Sequence, residues 1–518
     1  MLIHTIGAKC IGIDAVRVTV EIDIDRGIGI HLVGLADAAV KESLLRTTTA
    51  LQSLEFKIPG KKIVINLAPA DLRKNGSGYD LPIAVGIIAA SGQRDLPGAG
   101  RYLMMGELGL DGSIRDIPGA LPFAELAMQE GLEGVILPLQ SAMEAVEFSG
   151  LKVFAVRTLK DVLAILEEKE DPSEYLVWNT EEYSLLRRRA SRSDEDGPEV
   201  DLADIVGQEA ARRGLEIAAA GGHNMIMIGA PGSGKSSLAK AMAGILPPMT
   251  VEEATVTSKI YSIAGKGDLR CGLIRRRPFR APHYSATLPA LVGGGTGDSI
   301  VPGEVSLAQN GVLFLDEMGQ MSKTGIEALR GPLEDRRVTI SRLKAKVDFP
   351  ASFMLVAASN PCPCGYYGEG DRCNCTPGQR NAYLSKLSGP ILDRIDLQCW
   401  IHLVPADSIL RTRKAESSAA VAARVQMARR IQEQRFRSEA INTNAEMTRK
   451  HIEKYCPLSD SCREAMSRLM TNLGFSMRAY FRIIKVARTI ADLAGEPDIS
   501  EAHLAEASGY RFLDIQRV

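Results

Sequence analysis

Apolar and polar residues alternate through "RVTVEIDI" near the start of the chain, a period of two that predicts a β-strand with one buried face. Further strand-like runs, "KKIVINLAP", "EGVILP" and "KVFAVRT", are separated by helical patterns in "DAAVKESLLRTTTALQSL", "PFAELAMQE" and "LKDVLAILEEK". Residues 1–168 therefore read as an α/β domain with mixed strand pairing. From 169 to 199 apolar periodicity fades and charge blocks dominate, as in a solvated linker. From 200 to 405 strand and helix signals alternate around the apolar strand "NMIMIG", which predicts a doubly wound parallel sheet. From 406 to 518, "SSAAVAARVQMARRIQEQRFR" and "MRAYFRIIKVARTIADL" repeat every 3.6 residues without strand signals, so a helical C-terminal part is expected.

The chain has 518 residues, more than one core can serve, since single cores stop growing at roughly 250 to 300 residues. Its net charge is -1, so any polyanion must be met by a local basic surface. The N-terminal stretch lacks the basic-then-apolar order of a signal peptide, and the longest apolar run, "LPIAVGIIAA", is too short to span a bilayer. These readings predict a cytoplasmic protein with reduced thiols and no membrane partner.

"GAPGSGKSS" runs from Gly229 through Ala230, Pro231, Gly232, Ser233, Gly234, Lys235 and Ser236 to Ser237. It fits G-x-x-x-x-G-K followed by Ser, after a strand and before a helix, which is the context a phosphate-binding loop requires. The glycines turn backbone N–H groups toward the phosphates of ATP, Lys235 reaches the β and γ groups, and Ser236 ligands Mg²⁺. Further on, "GVLFLDE" ends a buried strand in Asp316 and Glu317. Asp316 is positioned to hold Mg²⁺ and Glu317 to polarise the attacking water. "FMLVAASNP" brings Asn360 to a strand end, either to share that water or to start a turn before Pro361. "SGPILDRIDL" places Arg394 between acids, as a finger toward a neighbour's γ-phosphate or as an ion pair with Asp393 or Asp396.

At these residues, and through "RPFRAPHYSATLPALVGGG", "VPGEVSLAQNGVLFLDEM" and "NPCPCGYYG", the sequence resembles the YifB/ComM family of magnesium-chelatase-like AAA+ ATPases over essentially its full length. The resemblance implies three parts. These are a Lon-protease-like N-terminal domain with the ribosomal protein S5 domain 2-like fold, an AAA+ core with a P-loop parallel sheet, and a helical lid. It makes Asn360 sensor 1, Arg394 the arginine finger and Arg478 of "FSMRAYFR" the sensor 2 arginine, with Ile205 and Val206 of "DIVGQ" flanking the adenine. It also implies hexameric rings and, for ComM-type members, helicase-class branch migration of DNA during recombination and natural transformation. A magnesium chelatase-like metal-insertion motor and an ATP-dependent Lon-like peptidase are the alternatives.

"RKNGSGYDLPIAVGIIAASGQ" resembles the serine region of Lon-type peptidases, but "ALPFAELA" after Gly119 has no lysine and Ser77 no evident base, so the domain reads as non-catalytic. Arg73 and Lys74 nearby are expected in a solvated loop or against DNA. Single-stranded or branched DNA would suit the arginines and rings of "LIRRRPFRAPHYSA": Arg275, Arg276, Arg277, Arg280, Phe279, His283 and Tyr284. Arg342 is a similar candidate. Arg429, Arg430, Arg435 and Arg437 make either a basic helix face or a solvated one.

Cys362, Cys364, Cys373 and Cys375 crowd one loop, "CPCGYYGEGDRCNC". Four thiols in a reduced compartment favour a structural Zn²⁺ over disulfides, although zinc sites more often use wider Cys spacing. Because the loop follows Asn360, a metal there is expected to stiffen the segment leading to Arg394, with its loss affecting assembly or coupling more than nucleotide binding.

Overall fold

The computed structural model describes residues 2–148, 150–193, 199–267, 272–295, 300–342, 345–387, 389–404 and 415–515. The N-terminal domain is built on a seven-stranded mixed sheet. Edge to edge it runs Gly29–Val33, Lys62–Ala68, Asp14–Asp25, Leu2–Ile11, Tyr102–Met104, Gly134–Pro138 and Lys152–Val156. Alternation in Asp14–Asp25 sends Val18, Val20 and Ile22 into the core, as the period of two requires. The helix Asp80–Ala90 is buried on every side and lies against that strand. Gly86 permits the approach, because a Cβ there would stand 2.4 Å from Ile22 Cδ1.

The segment expected to be a linker is instead packed on this domain as far as its helix Glu181–Ser193. Val177 is buried, and Leu176, Tyr183 and Leu186 rest on the N-terminal core. These few apolar residues fall in short 3₁₀ turns and one helix, too briefly to produce a visible period.

The second domain carries a five-stranded parallel sheet in the order Phe279–Arg280, Val312–Leu315, Met354–Ser359, Met225–Gly229, Leu397–Ile401. Its three central strands are buried throughout, which is why their sequences are continuous apolar runs. An antiparallel hairpin, Arg337–Arg342 with Ala345–Pro350, precedes the strand ending at Ser359. The C-terminal helices do not form a separate core. Ser418–Arg435 and Met477–Ala494 pack on Glu209–Gly221, and Ile483, Ile490 and Leu504 share one apolar cluster with Met225, Met227 and Val356.

The two halves of the chain meet at helix Val251–Ile263. Buried Lys259 reaches Asp14 and Glu125 of the N-terminal domain at 2.6 Å each, and Gly119 N donates to Ser262 O at 3.0 Å. Among the described residues no helix is long and apolar enough to cross a membrane.

Candidate functional site: a nucleotide cleft and a separate arginine cleft

The strand Met225–Gly229 ends in a turn whose Gly232 and Gly234 have φ of +77° and +91°, a region that side chains resist. Helix Lys235–Met242 begins at once, so its unpaired N–H groups and positive dipole end face the turn. Buried Lys235 folds back and donates from Nζ to the carbonyls of Gly229 and Ala230, 2.8 Å each. Burial lowers its pKa, and the charges of Asp316 and Glu317 partly offset this. Ser236 Oγ donates to Asp316 Oδ2 at 2.8 Å, and Glu317 N donates to Asp316 Oδ1 at 2.9 Å. Glu317 itself is left-handed, φ +49°, where the chain turns sharply off its strand. A cleft of about 420 Å³ is lined by residues 231–237 together with Asp316, Glu317 and Asn360.

Three strand ends of the parallel sheet thus deliver the expected loop lysine, serine, paired acids and asparagine to one cleft, at the C-terminal edge where ligands bind in such sheets. Ile205 is nearly buried in the core and Val206 half-buried at the entry to the domain. Sequence reasoning missed Gln208 beside them. Its Nε2 donates to Ser233 O at 3.2 Å and His402 O at 2.5 Å, tying the loop to the segment after the edge strand.

Arg394 and Arg478 do not border this cleft. They line a second one of about 370 Å³, with Arg336, Arg482 and Lys485 opposed by Glu334, Asp393, Asp396 and Glu446. Arg394 makes an intrachain ion pair, but with neither of the adjacent acids Asp393 and Asp396. Arg394 pairs with Glu334, while Asp393 accepts from Arg478 at 2.5 Å and Asp396 accepts from Arg482. The reason is geometric: Asp396 stands just before the buried edge strand and points inward, where Oδ2 also faces His223 Nδ1 at 3.1 Å. Burial and the neighbouring cations Arg330, Arg482 and Arg478 all lower the pKa of Arg394, whose Nε is buried without a hydrogen-bond partner among the described residues. Lys485 is pushed down to about 8 by burial. Five cations, Arg336, Arg394, Arg478, Arg482 and Lys485, face four carboxylates here, so the cleft is an ion-pair network with a small positive excess.

The four cysteines converge. Sγ–Sγ distances are 3.3 Å for Cys362–Cys364, 3.8 Å for Cys362–Cys373 and 3.7 Å for Cys364–Cys373, with all four sulfurs within 4.8 Å of one another. Thiolates about 2.3 Å from a tetrahedral zinc stand about 3.8 Å apart, so the group fits that metal. The Tyr366 N–H and the Cys362 thiol lower the Cys364 pKa to about 6. The loop's contacts are the phosphate loop, the edge strand and, through Arg380 over the Tyr367 ring, the helix Pro377–Leu384 on the way to Arg394. A Cβ on Gly365 would stand 2.7 Å from Pro231 Cδ, and one on Gly368 2.8 Å from Trp400.

Several DNA candidates are engaged within the chain. Arg277 donates to the Pro247 and Asn310 carbonyls and to Glu253, at 2.7 Å in each case, and Arg280 forks onto Glu304 at 2.6 and 2.8 Å. Arg275 pairs with Glu147 at 3.1 Å, and the Phe279 ring stacks on Phe314. Arg276, His283 and Tyr284 are exposed, the last two with ring centres 4.2 Å apart. Arg429 donates to the Ala219 carbonyl and Arg435 to Asp492, leaving Arg430 and Arg437 on the surface of their helix segment. The Arg342 side chain lies outside the described residues. Lys74 is neither solvated nor on the surface: it is fully buried, its Nζ donating to the Pro69 carbonyl, while Arg73 is exposed. The Ser77 hydroxyl donates to Glu107, a carboxylate instead of the amine that a Ser-Lys peptidase needs.

Family models match three stretches: "Magnesium chelatase, subunit ChlI" over residues 201–409, "Subunit ChlI of Mg-chelatase" over 20–141, and "Magnesium chelatase, subunit ChlI C-terminal" over 415–511. The chain is 44% identical over 502 residues to the competence protein ComM of Haemophilus influenzae, covering 96% of this chain and 95% of that protein. It is 41% identical over 515 residues to the uncharacterized protein YifB of Salmonella typhimurium, covering 99% and 97%. A shorter match, 24% identity over 172 residues, is to the archaeal Lon protease of Methanocaldococcus jannaschii, covering 31% of this chain and 26% of that one. The N-terminal fold is accordingly Lon-like, and ATP with Mg²⁺ is the ligand pair of the core. With near-complete coverage by such relatives and family models over residues 20–141, 201–409 and 415–511, this protein belongs to the YifB/ComM family of magnesium-chelatase-like AAA+ ATPases.

Proposed function

We propose that the chain is a cytoplasmic ATP-hydrolysing motor that assembles into a ring, of hexamer size, and drives single-stranded or branched DNA as a helicase of the branch-migration class. One observation carries this reading: Lys235, Ser236, Asp316, Glu317 and Asn360 line one cleft, while Arg394 and Arg478, which the family resemblance makes the arginine finger and sensor 2, line another. A cleft that needs Arg394 and Arg478 is complete only where a second chain supplies them.

In such an assembly Lys235 leaves the Gly229 and Ala230 carbonyls for the β- and γ-phosphates. Ser236 and Asp316, already 2.8 Å apart, are the pair that would hold Mg²⁺, which neutralises charge developing on the phosphates. Glu317 takes the role of base toward the attacking water, and Asn360 orients it. Arg394 from the neighbouring chain then offsets the charge of the transition state, an effect worth about 10³ to 10⁵ in rate. Arg276, His283 and Tyr284 are the DNA-facing candidates because all three are exposed. One Zn²⁺ in the four-cysteine loop completes the proposed ligand set. The relative named a competence protein supports a setting in natural transformation and homologous recombination.

A metal-insertion motor is the second reading, favoured by the chelatase-subunit match over 201–409. Branch migration on labelled four-way junctions, measured with ATP turnover and with Lys235→Ala as control, separates the two. Junction-stimulated turnover with strand exchange is expected. Turnover indifferent to every DNA tested would favour metal insertion.

A further inference from the structure

We infer that the four-cysteine loop is a metal-dependent clamp on the phosphate-binding loop, so that this protein's affinity for ATP depends on a metal ion bound outside the nucleotide cleft. This rests on the reading that Cys362, Cys364, Cys373 and Cys375 hold one zinc ion.

The loop has three anchorages, and each bears on the nucleotide. It departs from Asn360, one of the residues lining the nucleotide cleft. Two residues after Cys362 the chain turns back, with Gly365 N donating to Cys362 O at 3.0 Å, and Gly365 adopts φ +87°. That turn puts its bare Cα against Pro231, the third residue of "GAPGSGKSS", where even a Cβ would be 2.7 Å from Cδ and 3.0 Å from Cγ. Further along, Gly368 meets Trp400, the Tyr367 ring contacts Trp400 edge-on, and Arg380 covers the Tyr367 face at 4.2 Å. Glu369 finally accepts from Leu403 N at 3.1 Å. The segment so held, 400–403, also carries the His402 carbonyl that receives Gln208, and Gln208 in turn donates to Ser233 in the phosphate loop.

Pro231 is therefore pressed from one side by the cysteine loop, and Ser233 is tethered from the other by a residue fixed through the same loop. Apart from the short 3₁₀ turn Gly370–Arg372, residues 362–376 have no regular structure to hold that arrangement. Four thiolates on one ion would supply it, because the ion fixes Cys362 and Cys364 on one flank of Gly365 to Cys373 and Cys375 across the turn. Without the ion, the turn relaxes and Pro231 loses its backing. Misplacement of phosphate donors by a fraction of an ångström weakens binding, since their worth depends on preset geometry. Four thiolates would fill a tetrahedral ion's coordination and leave it no place for phosphate or water, so its part would be positioning.

The test uses the full chain. Metal content is measured by mass spectrometry after purification without chelator, and a fluorescent ATP analogue is titrated before stripping, after stripping with a high-affinity chelator, and after zinc is returned. The inference expects one zinc per chain, an affinity about tenfold weaker when stripped, and recovery with one equivalent of zinc. Absence of zinc or any other bound metal overturns the zinc reading and the clamp with it. Zinc present and removed with affinity unchanged overturns the clamp alone. If the stripped chain unfolds, Gly365→Ala decides. It leaves all four cysteines in place, so it should keep its zinc and bind the analogue more weakly; wild-type affinity with zinc retained overturns the clamp.

Discussion

Removing the Asp396 carboxylate tests how the arginine cleft is held in shape. Asp396 is 5% exposed and joins Arg482 to His223, whose Nε2 lies 2.8 Å from the Thr489 hydroxyl of the helical part. The Arg482 and His223 contacts keep its carboxyl below the ordinary range in spite of burial. Asp396→Ala leaves a fully buried histidine without its acceptor, costing about 1 kcal/mol. It also leaves Arg482 unpaired. Losing one partner of a buried pair costs about 3 to 5 kcal/mol, but Arg482 is 21% exposed and regains some water, so about 2 kcal/mol is appropriate for it. The total, about 3 kcal/mol, corresponds to a fall of about 10 °C in the melting temperature of a unit this large. Because the folded pKa is depressed, the contribution is present above the unfolded value near 3.8 and lost only as pH falls through the folded one. The gap between variant and wild type in thermal melts should thus be constant from about pH 5 to 8. Asp396→Asn, which still accepts from one partner, should lose about half as much. An Asp396→Ala chain melting within a degree or two of wild type would refute the reasoning.

Glu317→Gln should bind ATP normally and lose about 10³-fold in turnover, as measured by phosphate release. Glu144 is half-buried beside Ser262 at the junction of the two domains and its pKa is raised to about 7, chiefly by desolvation of its carboxylate. A raised acid means the folded state holds its proton longer, so its stability falls as pH rises from about 4.5 to 7. Glu144→Gln should accordingly melt higher than wild type at pH 8 and equally at low pH. Lys259→Met should expose the junction held by Asp14 and Glu125, seen as faster cleavage between the domains in limited proteolysis. Arg277→Ala should reduce melting temperature through loss of its carbonyl and Glu253 contacts, whereas Tyr284→Ala should spare stability and lower DNA stimulation of ATP turnover.

What the sequence revealed of the nucleotide cleft was contiguous: an apolar strand, then the loop or acid at its end. Gly229–Ser237, Asp316, Glu317 and Asn360 each announce themselves within about six residues, and parallel pairing brings the strand ends together without further instruction. The cysteine cluster was legible for the same reason. Ion-pair partners were not, because they are chosen by tertiary packing. Glu334 captures Arg394 from 60 residues away, and Arg277 is claimed by carbonyls from two other segments. Lys74 looks like a loop cation in "RKNGSG", yet its Nζ is satisfied by a carbonyl five residues back and its stem is enclosed. The role of Gly365 depends on Pro231, 134 positions earlier in the chain, a contact with no local signature.

If each ATP site is shared between two chains, mixing two inactive variants restores turnover. Glu317→Gln lacks the base and Arg394→Ala lacks the finger, so neither alone should turn over ATP appreciably. In an equimolar mixed assembly, roughly one interface in four joins an intact Glu317 to an intact Arg394 of its neighbour. ATP turnover should then rise to a clear fraction of the wild-type rate. Turnover of the mixture equal to the mean of the two separate variants, in assemblies proven to be mixed, would contradict the shared site.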